Sequence, residues 1–120
     1  MTGALRVYSY GACSTCRRAL KWLAERGVSA EVIDITVTPP DLELLRQALV
    51  GFGDRRRLFN TSGKSYRELG ADRIKAMDDD EALQALAADG RLIKRPFVVT
   101  QSGRILTGFK EPEWQELFGS

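Results

Sequence analysis

Histidine is absent from this 120-residue chain, and cysteine occurs only twice. The first absence removes imidazole as a general base and takes away the commonest transition-metal ligand. The second leaves no scope for the disulfide frameworks that staple small secreted domains. No apolar run approaches the roughly 18 residues of a membrane span. The opening Met1-Thr2-Gly3-Ala4-Leu5-Arg6 lacks the charged and apolar regions of a secretory signal. Neither sign of charge dominates: 18 Lys and Arg against 16 Asp and Glu leave +2, too balanced to call for a nucleic-acid or membrane partner. These absences lead to the expectation of a cytoplasmic protein. Its length suits one domain, large enough to bury a real core.

What is present centres on Ala12-Cys13-Ser14-Thr15-Cys16-Arg17-Arg18, which holds both thiols. The apolar run Leu5 to Ser9 predicts a strand before it. The spacing of Ala19, Leu20, Trp22 and Leu23 predicts a helix from about Thr15 to Arg26, with Gly27 as its cap. A β-branched run from Ala30 to Ile35 predicts a second strand, so the start reads as a parallel β-α-β unit with a right-handed crossover. Strand, tight loop, two thiols and helix is the layout of a thiol-redox site. A thiol reacts as thiolate, and Cys13 falls where helix N–H groups, the helix dipole and Arg17 and Arg18 favour negative charge. Cys13, nearer the loop, is expected to be the exposed nucleophile. Cys16, three residues on, is expected to face it and to resolve a mixed disulfide or sulfur adduct. Two small buried cysteines are the alternative, but the strand–loop–helix context favours redox chemistry. Zinc would need two further ligands, so no metal is expected.

Beyond the second strand, Thr38-Pro39-Pro40-Asp41 is expected to open a helix, capped by Thr38 with Pro39 at its first position. Leu42, Leu45 and Leu49 share one face, and Gly51 is expected to end it. From Phe52 to Met77 the pattern weakens: Arg55-Arg56-Arg57, a loop at Asn60-Thr61-Ser62-Gly63-Lys64, then short helical pieces. Asp78-Asp79-Asp80-Glu81 opens a further helix with acids at its positive end, Leu83 and Leu86 inward and Gly90 as its stop. Pro96 to Thr100 and Arg104 to Thr107 read as strands around a turn at Gln101-Ser102-Gly103. A last short helix has Pro112 near its start and Trp114, Leu117 and Phe118 as its apolar side. Trp22 and Trp114 read as core residues.

The fold class is therefore α/β, with the order β-α-β … β-β-α and a four-stranded mixed sheet. This resembles the thioredoxin-like order. The core takes about 4–37 and 91–118, the helical insertion about 38–90, and the whole 1–120 forms one domain. Pro96 lacks a donor and belongs at a strand start. A cis Arg95-Pro96 bond beside the cysteine loop is expected, with Arg95 pointing toward Cys13 to bind an anion or stabilise a thiolate.

Taken together, these residues resemble the ArsC/Spx family of thioredoxin-fold proteins with a helical insertion, over nearly the whole chain. The resemblance rests on Val7-Tyr8, Ala12-Cys13 with Arg17 four residues later, Pro39-Pro40, Tyr66-Arg67-Glu68-Leu69-Gly70, and Leu92-Ile93-Lys94-Arg95-Pro96-Phe97-Val98-Val99. It implies an arsenate reductase in which Cys13 attacks arsenate or a similar oxyanion. Ser14 and Thr15 then belong to the anion-binding loop, and Arg17 and Arg95 hold oxyanion oxygens beside Pro96. The loop Cys13-Ser14-Thr15-Cys16-Arg17 departs from the one-cysteine C-G-T-S-R of the glutathione-linked reductases, and Ser9 stands where they carry histidine. That departure implies a dithiol mechanism resolved by Cys16. No bound cofactor is implied, only an external thiol reductant, thioredoxin or glutathione with glutaredoxin. The resemblance also carries two alternatives: an Spx-like redox regulator binding RNA polymerase, to which Arg55-Arg56-Arg57 could offer a surface, and a general glutathione-dependent thiol reductase.

Overall fold

The structure, a computed structural model, describes residues 5–118. Four strands, β1 (Leu5–Ser9), β2 (Ala30–Asp34), β3 (Phe97–Val99) and β4 (Ile105–Thr107), form one sheet in the order β2-β1-β3-β4. β3 runs antiparallel to β1, with Val7 opposite Val98, and β4 runs antiparallel to β3, with Leu106 opposite Val98. β2 lies on the other flank of β1, joined to it by the crossover helix α1 (Ser14–Glu25), so the sheet is mixed. The expected α/β order is present, and the Arg95-Pro96 bond is cis.

Two compact units share the chain: residues up to 33 together with those from 95 onward, and residues 34–94. In the first, Leu5 and Val7 lie in one buried cluster with Ala19, Trp22 and Leu23 of α1, Val98, Leu106 and Trp114. The two tryptophans meet edge to face with centroids 5.9 Å apart. Trp114, on α6 (Glu111–Phe118), is fully buried and donates its indole N–H to the Gly108 carbonyl at 3.2 Å. A buried ring of this kind contributes both area and a satisfied polar group.

The second unit holds α2 (Leu42–Phe52), α3 (Lys64–Leu69), α4 (Ala71–Ala76) and α5 (Asp79–Ala88), with single 3₁₀ turns at Arg55–Arg57 and Gly90–Leu92. Three expected boundaries move. Asp41, not Thr38, caps α2: its carboxylate accepts the Leu44 N–H at 2.9 Å, while the Thr38 N–H is taken by the Asp34 carbonyl. Gly51 stays inside α2, and Gly53, at φ 70°, ends it in the left-handed conformation. Gly90 does not stop α5. The helix ends at Ala88 with Asp89 as its C-cap, and Gly90 begins the following turn, where any Cβ would overlap the Ile35 carbonyl. The start of α5 is as expected, a full capping box between Asp78 and Glu81.

The arginine tract is engaged within its own unit. Arg55 donates to the carbonyls of Ile74 and Lys75 at 3.2 and 3.3 Å and pairs with Asp79, Arg56 pairs with Asp54 at 2.9 Å, and Arg57 stacks over Phe52. Among the described residues, no helix is long and apolar enough to cross a membrane.

Candidate active site

β1 runs into Tyr10-Gly11-Ala12, and the Tyr10 carbonyl accepts the Cys13 N–H at 3.0 Å. That bond closes a tight turn, and Cys13 becomes the extended residue that caps α1. Ser14 and Thr15 follow in the first helical turn, Ser14 exposed and Thr15 half-buried. Cys13 is half-buried rather than exposed, while Cys16 is fully buried. Both are free thiols. The helical spacing of three residues puts the two thiols on one face of the helix start, where each acts on the other's ionisation.

Their environments push them in opposite directions. Burial acts to raise the Cys13 thiol, but the Cys16 amide, the Cys16 thiol and the Arg95 guanidinium all favour the thiolate, and the balance falls below the ordinary value. Cys16 is pushed up, first by burial and then by the neighbouring Cys13 sulfur. Two donors oppose this: the Tyr10 backbone N–H and the Ser9 hydroxyl. One thiol is thus shifted toward its anion and its neighbour toward its protonated form.

Arg95, the residue before the cis bond, reaches Cys13 as the Arg-Pro motif leads one to expect. Its guanidinium also lies over the Tyr10 ring, 5.2 Å from the centroid, so the aromatic face and the sulfur together fix its position. Pro96 is buried, and its carbonyl accepts the Gly108 N–H at 3.0 Å, which ties the cis turn to the end of β4. Arg17 is exposed and donates to the Gly11 carbonyl at 2.7 Å, bracing the cysteine loop from one helical turn away. Cys13, Cys16 and Arg95 therefore come together directly. Ser14, Thr15 and Arg17 line the same helix start.

Two neighbours carry no motif of their own. Ser9 continues the inward row Leu5, Val7 at strand spacing, and a hydroxyl in an apolar row was the available signal. Tyr10 reads as simple packing, and only the three-dimensional arrangement reveals its ring beneath Arg95. A cleft of about 450 Å³ between Leu5, Val28 and Phe118 contains no ionisable side chain. Among the described residues no cluster of three or more His, Cys, Asp or Glu side chains gathers for a metal.

The sequence profile of the ArsC family matches residues 8–117. The chain is 43% identical over 115 residues to the uncharacterized protein YusI of Bacillus subtilis, covering 94% of this chain and 97% of that one. It is 34% identical over 106 residues to an arsenate reductase of Neisseria meningitidis serogroup A, covering 87% and 89%. The crystal structure of a possible arsenate reductase from Streptococcus mutans superposes with a TM-score of 0.86 at 39% identity, covering 95% of this chain and 99% of that one. With the match running from the end of β1 through α6, and the thiol pair, the arginine and the cis-proline all inside it, the chain belongs to the ArsC family.

Proposed function

We propose that the chain is a thiol oxidoreductase that reduces an oxyanion, arsenate in the leading case, through a Cys13–Cys16 disulfide. One observation carries the reading: a half-buried free thiol caps the start of α1 beside Arg95, with a second, fully buried free thiol three residues on. In the first step the Cys13 thiolate forms an S–As bond, and an arsenic-bound oxygen leaves as water after taking up protons. Helix N–H groups at Ser14 and Thr15, with Arg17 and Arg95, supply donors and positive charge for the remaining oxygens. In the second step Cys16 loses its proton and attacks the Cys13 sulfur. The S–As bond breaks with its electron pair passing to arsenic, As(V) becomes As(III), and the two sulfurs are left as a disulfide. A dithiol of the thioredoxin class, or glutathione with glutaredoxin, returns the pair to thiols. An Spx-like redox regulator is the second reading, and Spx regulators of Enterococcus faecalis and Lactiplantibacillus plantarum are among the relatives, at 26% and 23% identity.

The test is arsenate-dependent NADPH oxidation, coupled separately to the thioredoxin and glutaredoxin systems, with wild type, Cys13→Ser and Cys16→Ser. Wild type should turn over, Cys13→Ser should be inactive, and Cys16→Ser should lose thioredoxin-coupled turnover. Silence of wild type in both systems refutes arsenate as substrate. Full activity of Cys16→Ser refutes the internal disulfide.

A further inference from the structure

Tyr10 follows the last residue of β1, and Arg95 precedes the cis-proline at the head of β3. The register between these strands sets Arg6 opposite Val99, Val7 opposite Val98 and Tyr8 opposite Phe97, and the Tyr8 and Phe97 rings meet edge to face at 5.8 Å. Continued past Tyr8, the same register sets Tyr10 opposite Arg95. Pro96 has no N–H to donate, so the ladder stops at Phe97. Beyond it the pairing is carried by side chains: the Arg95 guanidinium lies over the Tyr10 ring, 5.2 Å from the centroid, and both residues are half-buried. Tyr10 is also tied to the nucleophile, because its carbonyl accepts the Cys13 N–H at 3.0 Å. We propose that Tyr10 is a positioning residue for oxyanion capture: its ring seats the Arg95 guanidinium beside the cysteine loop, so that the cation is in place before the anion arrives. This rests on the oxyanion reading above and adds a residue that acts through Arg95.

The chemistry favours a seat of this kind. An arginine side chain has many rotamers, and an anion that must freeze them binds more weakly than one that meets a cation already held. An aromatic face attracts a guanidinium through its ring electrons, and takes none of the in-plane N–H donors that a fork on an oxyanion uses. A carboxylate in the same position would hold the cation as firmly, but its charge would repel the incoming anion. The ring avoids that conflict, and the phenol hydroxyl has no part in it. The same guanidinium is among the groups that favour the Cys13 thiolate, which fits its place beside the loop.

Phosphate, a tetrahedral oxyanion that thiols do not reduce, serves as the probe. In the whole chain carrying Cys16→Ser, iodoacetamide alkylates Cys13, and phosphate at constant ionic strength should slow that reaction by occupying the loop. The concentration that halves the rate is read for this reference and for Tyr10→Phe, Tyr10→Leu and Tyr10→Met, each also combined with Arg95→Met. A half-buried cation seated on a ring shifts an equilibrium about fivefold. Tyr10→Leu and Tyr10→Met, which lack the ring, should therefore raise the half-protecting concentration about fivefold, and Tyr10→Phe should match the reference. Arg95→Met should raise it at least as much, and in that background loss of the ring should add nothing further. Equal effects of ring loss with and without Arg95 overturn the proposal, because a displaced loop and not a misplaced cation is then the cause. Half-protecting concentrations that ignore the ring overturn it as well; where they still respond to Arg95→Met, the oxyanion reading stands without Tyr10. Phosphate that fails to protect the reference chain refutes the oxyanion site itself, and the inference falls with it.

Discussion

Arg95 offers the sharpest quantitative test of the site, because its guanidinium both hydrogen-bonds the Cys13 sulfur and carries a full charge beside it. In a Cys16→Ser background only one thiol titrates, and Arg95→Met keeps length while removing charge and donors. A hydrogen bond to a charged group contributes about 1.5–3 kcal/mol. Cys13 is only half-buried, so solvent screening reduces this to about 1 kcal/mol. That corresponds to an approximately fivefold fall in thiolate population on the acid side of the titration midpoint. The alkylation rate should fall less, about two- to threefold, because the more basic thiolate is the better nucleophile. Ultraviolet absorbance of the thiolate against pH reads the population directly, and iodoacetamide kinetics read the rate. Arg95→Lys should fall between, since an ammonium keeps the charge but not the planar fork seated over Tyr10. Superimposable titrations with and without the Arg95→Met substitution would show that the guanidinium does not set the thiolate, and the reasoning would fail.

Other consequences can be checked by equilibrium unfolding. In Cys16→Ser the residue-16 amide and Arg95 remain beside Cys13, so its folded value should stay below its ordinary 9.0 and the unfolded chain should bind more protons between the two values. Stability of the reduced protein should therefore rise with pH through that window, be fully present above it, and be lost as pH falls through the folded value; a flat urea midpoint, relative to the chain lacking both cysteines, would refute this. In the single variant Cys13→Ser the sign reverses, because the raised Cys16 favours the folded state below the ordinary value and loses that advantage as pH climbs. Gly90→Ala places a methyl group against the Ile35 carbonyl and should cost about 1–3 kcal/mol in urea unfolding. A midpoint equal to wild type would mean that the turn relaxes freely.

The thiol pair, the Arg-Pro motif and the order of elements were legible because each is a local pattern with a local cause. Two cysteines three residues apart at the start of a helix must share a face, and Pro96 can only open β3. The boundaries were harder because the same residue types compete over a few positions. Thr38 and Asp41 can both cap, and the choice fell to Asp41 once the Thr38 amide was taken by the Asp34 carbonyl. Gly51 and Gly53 can both end a helix, and only Gly53 adopts positive φ. Gly90 reads as a stop in one dimension, but its glycine is demanded by a backbone 55 positions earlier in the chain, at Ile35. Tyr10 and Arg95 illustrate the same limit: their contact joins two stretches that no periodicity links.

The first unit is assembled from the two ends of the chain, and β1 finds its partner at β3, with Arg6 opposite Val99. During synthesis the cysteine loop therefore emerges long before the strand that completes its sheet. Until Arg95 has left the ribosome, Cys13 lacks the cation that favours its thiolate, and it stands closer to an ordinary thiol among the oxidants of the cell. Reactivity is conferred last, by the same strand pairing that closes the fold. A truncated or stalled chain carries both sulfurs yet lacks the guanidinium and the sheet partner that complete the site.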